Sequence, residues 1–220
     1  MHALLSIVLV GTLLTSPGWT QTDPPASVLA PIPANQLLTA LNALPDRAGP
    51  QPQTPGRVPH IQMDQNAPVE MQRLLLAGAQ NLPDVRLWQD TPYSLPSSVG
   101  WVLPEALRGG PDNAYSLEGE FGHAHRPEDG SLHLRLPAEA ARMVFDKGWG
   151  ILHPFSAAVT GERGVNYIMV YGPRDEEEVA AAWIIVQISY AFARGLDLTA
   201  SDETAVSPAT WGETKQANTP

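Results

Sequence analysis

Hydrophobic and polar positions divide the chain into stretches of different character. Ala3 to Leu14 is an almost unbroken apolar run, followed by Ser16, Pro17 and Gly18. Its length fits a secretory signal peptide over residues 1–20 and is too short to span a bilayer comfortably, although His2 stands where such segments usually carry Lys or Arg. An uncleaved membrane anchor is the rival reading. From 21 to 60, prolines interrupt every pattern except Val28 to Ala30 and a helix-like patch, Asn35 to Ala43. A proline-rich tether with little core of its own is expected there. After residue 199, Thr, Ser, Asn, Glu and Pro surround a lone Trp211 without helical or strand period, which reads as a disordered tail over 199–220. The interval 61–198 is left, long enough for one core of ordinary size.

Within that interval Val69, Met71, Leu74, Leu75 and Leu76 predict a helix over 68–80, and Val85–Leu87 and Val99–Leu103 predict short strands. Gly119–His125 and Ser131–Leu136 flank Arg126-Pro-Glu-Asp-Gly130, whose Pro, Asp and Gly suit a five-residue hairpin loop. Pro137 opens a helix over 138–147 that Gly148 stops. Trp149–Leu152 and Tyr167–Tyr171 are further strands. Asp175 with Glu178 three residues on resembles a capping box for a helix reaching Ala193, its apolar face marked by Val179, Trp183, Val186 and Tyr190. This order predicts an α+β fold, a mainly antiparallel sheet with helices packed on one face. A jelly roll also carries His-x-His on a strand, but it needs about eight strands, more than the candidates here.

Composition narrows the chemistry. A net charge of −10 argues against nucleic acid as a partner. The absence of cysteine removes thiolate metal sites, thiol nucleophiles, disulfides and lipoprotein anchoring. No Gly-x-Ser-x-Gly, phosphate-binding loop, His-Glu-x-x-His or complete dinucleotide fingerprint occurs in the sequence.

The hairpin concentrates what remains. With a loop at 126–130, His125 falls opposite Ser131, His123 opposite His133 and Phe121 opposite Arg135. Period-2 alternation then puts His123, His125 and His133 on one side, with Cβ atoms about 5–8 Å apart. Leu132, Leu134 and Leu136 face the other way with Gly122 and Ala124, the side expected to meet the helices. Glu120 falls on that apolar side by strict alternation, unless a bulge near Gly119 or Gly122 re-aims it. Three readings fit the histidine face: a transition-metal site (zinc, iron or copper) on His123, His125 and His133, a histidine general base, or a hydrogen-bonded strand face without a ligand. Gly148-Trp149-Gly150 before His153-Pro154 suits either a backbone approaching a ligand or a helix cap with a core tryptophan. Arg174, after Tyr171-Gly-Pro, is placed to bind an anion or to pair with the acidic run Asp175–Glu178 as a surface salt bridge of little consequence.

The blocks Glu120-Phe-Gly-His123-Ala-His125, Ser131-Leu-His133-Leu, Lys147-Gly-Trp-Gly150, His153-Pro154 and Tyr171-Gly-Pro-Arg174-Asp-Glu-Glu-Glu178 together resemble the luciferase-domain family, known from the fungal luciferases that oxidise 3-hydroxyhispidin. The resemblance implies an oxygenase-type reaction of O2, as co-substrate, with an electron-rich enol or hydroxypyrone-like small molecule. It implies a catalytic pocket lined by His123, His125, His133 and His153, with Glu120, Trp149, Tyr171 and Arg174 holding the substrate. It does not say whether a metal takes part. The signal-like segment and tether depart from the membrane segment of the fungal proteins and suggest a bacterial exported homologue, periplasmic or secreted, without a stable membrane span. Phe155-Ser156 replaces the family's usual Leu-Ala-Gly, and light emission is not implied. The alternative is a non-catalytic exported module that binds a metal or small ligand; a third reading is a purely structural domain.

Overall fold

A computed structural model describes residues 28–92, 94–157 and 166–199. The expected signal peptide, the first residues of the tether and nearly all of the tail lie outside these residues. Short runs rich in β-branched and aromatic side chains form β1 (Arg86–Gln89), β2 (Val99–Val102), β3 (Glu120–Ala124), β4 (Leu132–Arg135), β5 (Gly150–Leu152) and β6 (Tyr167–Val170). They build a six-stranded sheet in the order β1-β2-β3-β4-β6-β5, with every neighbouring pair antiparallel. The helices are α1 (Leu37–Ala43), α2 (Val69–Gln80), α3 (Ala138–Asp146), α4 (Pro154–Ala157) and α5 (Glu176–Arg194). The fold is thus α+β, as the order of elements predicts. Among the described residues no helix is long and apolar enough to cross a membrane.

Helix borders follow the local chemistry. Asp175 Oδ1 accepts from Glu178 N–H at 2.9 Å and opens α5, while Gly195, in the left-handed region at φ 67°, ends it. The predicted reciprocal half of the capping box is absent, because the Glu178 carboxylate turns instead to Arg174 and Arg47. The apolar face of α5 lies on β3 and β4, with α1 and α2 packed beside it and α3 between α1 and β5. Leu132, Leu134, Ile168 and Val170 meet this helical layer as fully buried core. Their strand neighbours His133, Arg135 and Tyr167 therefore project to the opposite side, by the pleat alone.

The hairpin register matches expectation: His123 pairs with His133, Gly122 with Leu134 and Ala124 with Leu132. Against β2 the ladder slips, with Trp101 opposite Gly122 but Val102 opposite Glu120, so Phe121 is the extra residue of a bulge. Phe121 packs toward Tyr190 and Trp101 on the helical side, and Glu120 is turned to the histidine side. Gly100, opposite His123, makes room for it, since a Cβ there would run into the Glu120 carboxylate.

The tether expectation needs correction over its described part. Leu37 and Leu41 are fully buried in the core, and Ile32 N–H and the carbonyl of Ala30 bond Gln187 and Trp183 of α5. Beyond α1 the chain is fastened by Lys147 Nζ to the Leu44 carbonyl (2.7 Å), Trp149 Nε1 to that of Pro45 (2.9 Å) and Arg47 N–H to that of Lys147 (2.8 Å). Proline-rich composition conceals this packing, because the anchors are single contacts spread along the segment rather than a periodic face.

Candidate functional site

His123, His125, His133 and His153 come together on the sheet face away from the helical layer, and His60 joins them. All are buried. Ring centroids lie 5.0 Å apart for His123 and His133, 4.6 Å for His125 and His133, and 4.5 Å for His133 and His153. His60 stacks on His133 at 5.4 Å. A pocket of about 800 Å³ opens on His60, His125, His133 and His153, lined also by Arg135, Tyr167, Tyr115 and Phe155; His123 stands behind His133 and does not line it.

Hydrogen bonding assigns the ring nitrogens. Thr91 Oγ1 donates to Glu120 Oε2 at 2.6 Å, and His123 Nδ1 lies 2.8 Å from Glu120 Oε1. A carboxylate accepting from both requires a proton on His123 Nδ1, which leaves Nε2 as an acceptor. That nitrogen is 3.1 Å from His133 Nδ1, so His133 donates there and its Nε2 keeps the lone pair. This Nε2 is buried without a hydrogen-bond partner among the described residues. His125 is held similarly: Ser131 Oγ donates to Asp129 Oδ1 (2.9 Å) and stands 3.2 Å from His125 Nδ1, from which it accepts. At His153 the sense is reversed. Phe155 N–H donates to Nδ1 at 3.1 Å, which puts the proton on Nε2. The cluster thus offers a base, His133 Nε2, beside a donor, His153 Nε2–H.

Burial favours the neutral form of His60, His123, His133 and His153. It lowers His60 to about 4 and His153 to about 3, with neighbouring imidazoles adding to the effect. It also holds His133 well below the ordinary histidine range, and it lowers His123 despite the bond to Glu120. Burial opposes ionisation of Asp129, yet the hydrogen bonds from His125, Ser131 and Gln62 hold its carboxyl below the usual value. Because the folded-state histidine values are depressed, the stability they contribute is fully present above about pH 6.5 and is lost as pH falls toward 3. In that window the unfolded chain takes up protons that the folded one refuses. Urea midpoints measured at pH 7, 5.5 and 4 are expected to fall steadily, with a loss on the order of 3 kcal/mol by pH 4. A flat profile would mean that the imidazoles are not held neutral.

The other expected substrate contacts lie elsewhere. Glu120 is in the site, behind His123. Trp149, Tyr171 and Arg174 do not line the pocket: Trp149 binds the Pro45 carbonyl, the Tyr171 ring lies 5.3 Å under the Arg47 guanidinium, and Arg174 pairs with Glu178 and donates to the Ala48 carbonyl and Gln65. They hold the segment around residues 44–65. Gln62 fixes that segment near the cluster, its N–H on Asp129 Oδ2 (2.5 Å) and its Oε1 on Gly172 N–H (2.9 Å). Two residues earlier, His60 reaches the rings.

Sequence reasoning missed His60, Arg135, Tyr167, Thr91 and Asp129 as site residues. Arg135 and Tyr167 had a usable signal, since strand alternation places 135 beside 133. His60 had none beyond being one of six histidines.

Comparison with known proteins comes to the same segment. Residues 118–189 match the family model described as Luciferase domain. The chain is similar to luciferases of Armillaria gallica (28% identical over 162 residues, 68% of this chain and 60% of that protein) and Armillaria mellea (26% over 161 residues, 68% and 60%). It is also similar to that of Neonothopanus nambi (32% over 81 residues, 37% and 30%). It spans about 60% of the length of the Armillaria relatives. No solved structure matches it. The segment matched by the Luciferase domain model, residues 118–189, supplies His123, His125, His133 and His153.

Proposed function

We propose that the protein is a luciferase-like oxidoreductase that binds an electron-rich enol, hydroxypyrone-like in character, in the histidine-lined pocket and brings it to O2. The observation that carries this reading is the buried, unpartnered Nε2 of His133 at the end of the Glu120–His123–His133 chain, on a residue that lines the pocket within the matched segment. His133 Nε2 takes the enol proton, and the Glu120 carboxylate, acting through His123, stabilises the imidazolium that forms. The enolate carbon passes two electrons to O2, one at a time, and a carbon–oxygen bond forms. His133 returns its proton to the outer oxygen, so the enol C=C–OH plus O2 becomes the keto hydroperoxide O=C–C–OOH: the O–H bond breaks, a carbon–oxygen bond forms, and O2 takes the two electrons of the C=C bond. His153 Nε2–H is placed to donate to developing negative charge, and the buried surroundings limit quenching by water. The apolar run 3–14 supports export as part of the same proposal.

A second reading, an exported metal-binding module, is favoured by one observation. One nitrogen from each of His123, His125 and His133 lies within 4.8 Å of the others, as does one from each of His60, His133 and His153. The first set suits a transition metal better, because Glu120 and Ser131 with Asp129 hold two of its rings from behind, and the Nδ1–H bonds of those two leave the lone pair on Nε2, although that of His123 is engaged by His133 Nδ1. In the second set, His153 carries a proton on Nε2.

Two measurements on untagged protein decide between them. Substrate-dependent O2 uptake across a hydroxypyrone and catechol panel, in metal-free protein, is the expected result. One equivalent of transition metal by elemental analysis, lost in a His123→Ala/His133→Ala variant and accompanied by no O2 uptake, would replace the first reading with the second.

A further inference from the structure

Among the described residues, Arg135 forms no ion pair. By strand period it sits on the histidine face two residues from His133, about 7 Å along β4. Its guanidinium lies 4.0 Å over the Tyr167 ring, and its contacts are long and neutral: Nη1 to Asn166 Oδ1 at 3.3 Å and Nη2 to Ser116 Oγ at 3.4 Å. Its Nε is buried with no hydrogen-bond partner, and no carboxylate of the described residues stands within 4.0 Å. Asp112, the acidic residue lining the pocket, is exposed and makes no ion pair with it. Burial lowers the Arg135 pKa, with Tyr167 beneath it and Glu120 opposing that effect. Desolvating a guanidinium without a counter-charge is expensive, and a structure that keeps one at a pocket wall is arranged for an anion to complete it.

We propose that Arg135 is the binding residue for a fixed carboxylate on the pocket's ligand, which makes the ligand class a planar aromatic or enolic carboxylic acid. This deepens the proposed function and rests on it for the second contact: the carboxylate on Arg135 sets the ionisable hydroxyl at His133. A single guanidinium, with an acidic residue elsewhere on the wall, matches one negative charge better than the two of a phosphate monoester. Leu95, Pro59 and Phe155 line the pocket with apolar surface for the body of such a ligand, and Phe155 is 64% exposed, placed to cover it from outside.

Anaerobic calorimetric titration of the full chain with 4-hydroxycinnamate, its methyl ester and its amide tests the proposal. The acid is expected to bind at least tenfold more tightly than the ester or amide. Arg135→Lys is expected to keep that preference and Arg135→Gln to erase it. The acid-to-ester ratio in the unsubstituted protein needs no variant to fold. Equal binding of acid and ester, no binding of the acid up to its solubility, or an undiminished preference in folded Arg135→Gln would overturn the assignment. O2 uptake with neutral hydroxypyrones but no preference for the acid would remove this inference and leave the proposed function. Selective acid binding with no O2 uptake on any panel member would do the reverse.

Discussion

Replacing His133 with glutamine is expected to lower substrate-dependent O2 uptake by about 10²–10⁴-fold, the range that loss of a positioned general base produces. The glutamine amide N–H can still donate to His123 Nε2, so the hydrogen bond at 3.1 Å has a substitute donor, but the amide has no basic lone pair to offer the enol. Uptake should collapse while the thermal midpoint moves little. Glu120→Gln probes the same chain from its far end. As a positioning residue acting through His123, Glu120 should cost less when replaced, and it should displace the pH–rate profile because the imidazolium loses its counter-charge. Uptake in His133→Gln within threefold of the unsubstituted protein would exclude His133 as the base.

Glu178→Ala is expected to destabilise the fold by about 3–5 kcal/mol, because it leaves Arg47 buried without its partner. The two side chains are 2% and 7% exposed and stand 3.4 Å apart. Glu178 also holds Arg174, which donates to Gln65 and the Ala48 carbonyl, so its loss loosens the hold of α5 on the segment that delivers His60. The surface-bridge reading of the Arg174 region predicts a change of about 0–1 kcal/mol instead. Urea unfolding of the two proteins side by side separates these outcomes. A change below about 1 kcal/mol would return the pair to the surface class.

The two ends of the site differed in legibility for the same reason that these predictions differ. The histidine pair 123/133 follows from a five-residue loop and a period of two, and both are local rules that a strand obeys wherever it is placed. Glu120 was half legible: alternation put it on the wrong face and a bulge was the named remedy, but the bulge arises from β2 pairing with β3, across Trp101 and Val102. The Trp149, Tyr171 and Arg174 motifs were visible as motifs, but their place away from the pocket lining was not. Their partners, Pro45, Arg47 and Ala48, lie more than a hundred positions away in a stretch that carries no periodic signal.

By itself, then, the sequence determined the α+β order, the helix borders at Pro137, Gly148, Asp175 and Gly195, and the shared face of His123, His125 and His133. Each depends on backbone preference or side-chain period within a few residues. Tertiary structure alone decided that the described part of the proline-rich segment packs, that His60 enters the cluster, that His133 Nε2 has no hydrogen-bond partner among the described residues, and that Arg135 forms no ion pair among them. Those outcomes depend on desolvation and on pairing between single polar groups far apart in the chain, which leave no repeating trace in the order of residues.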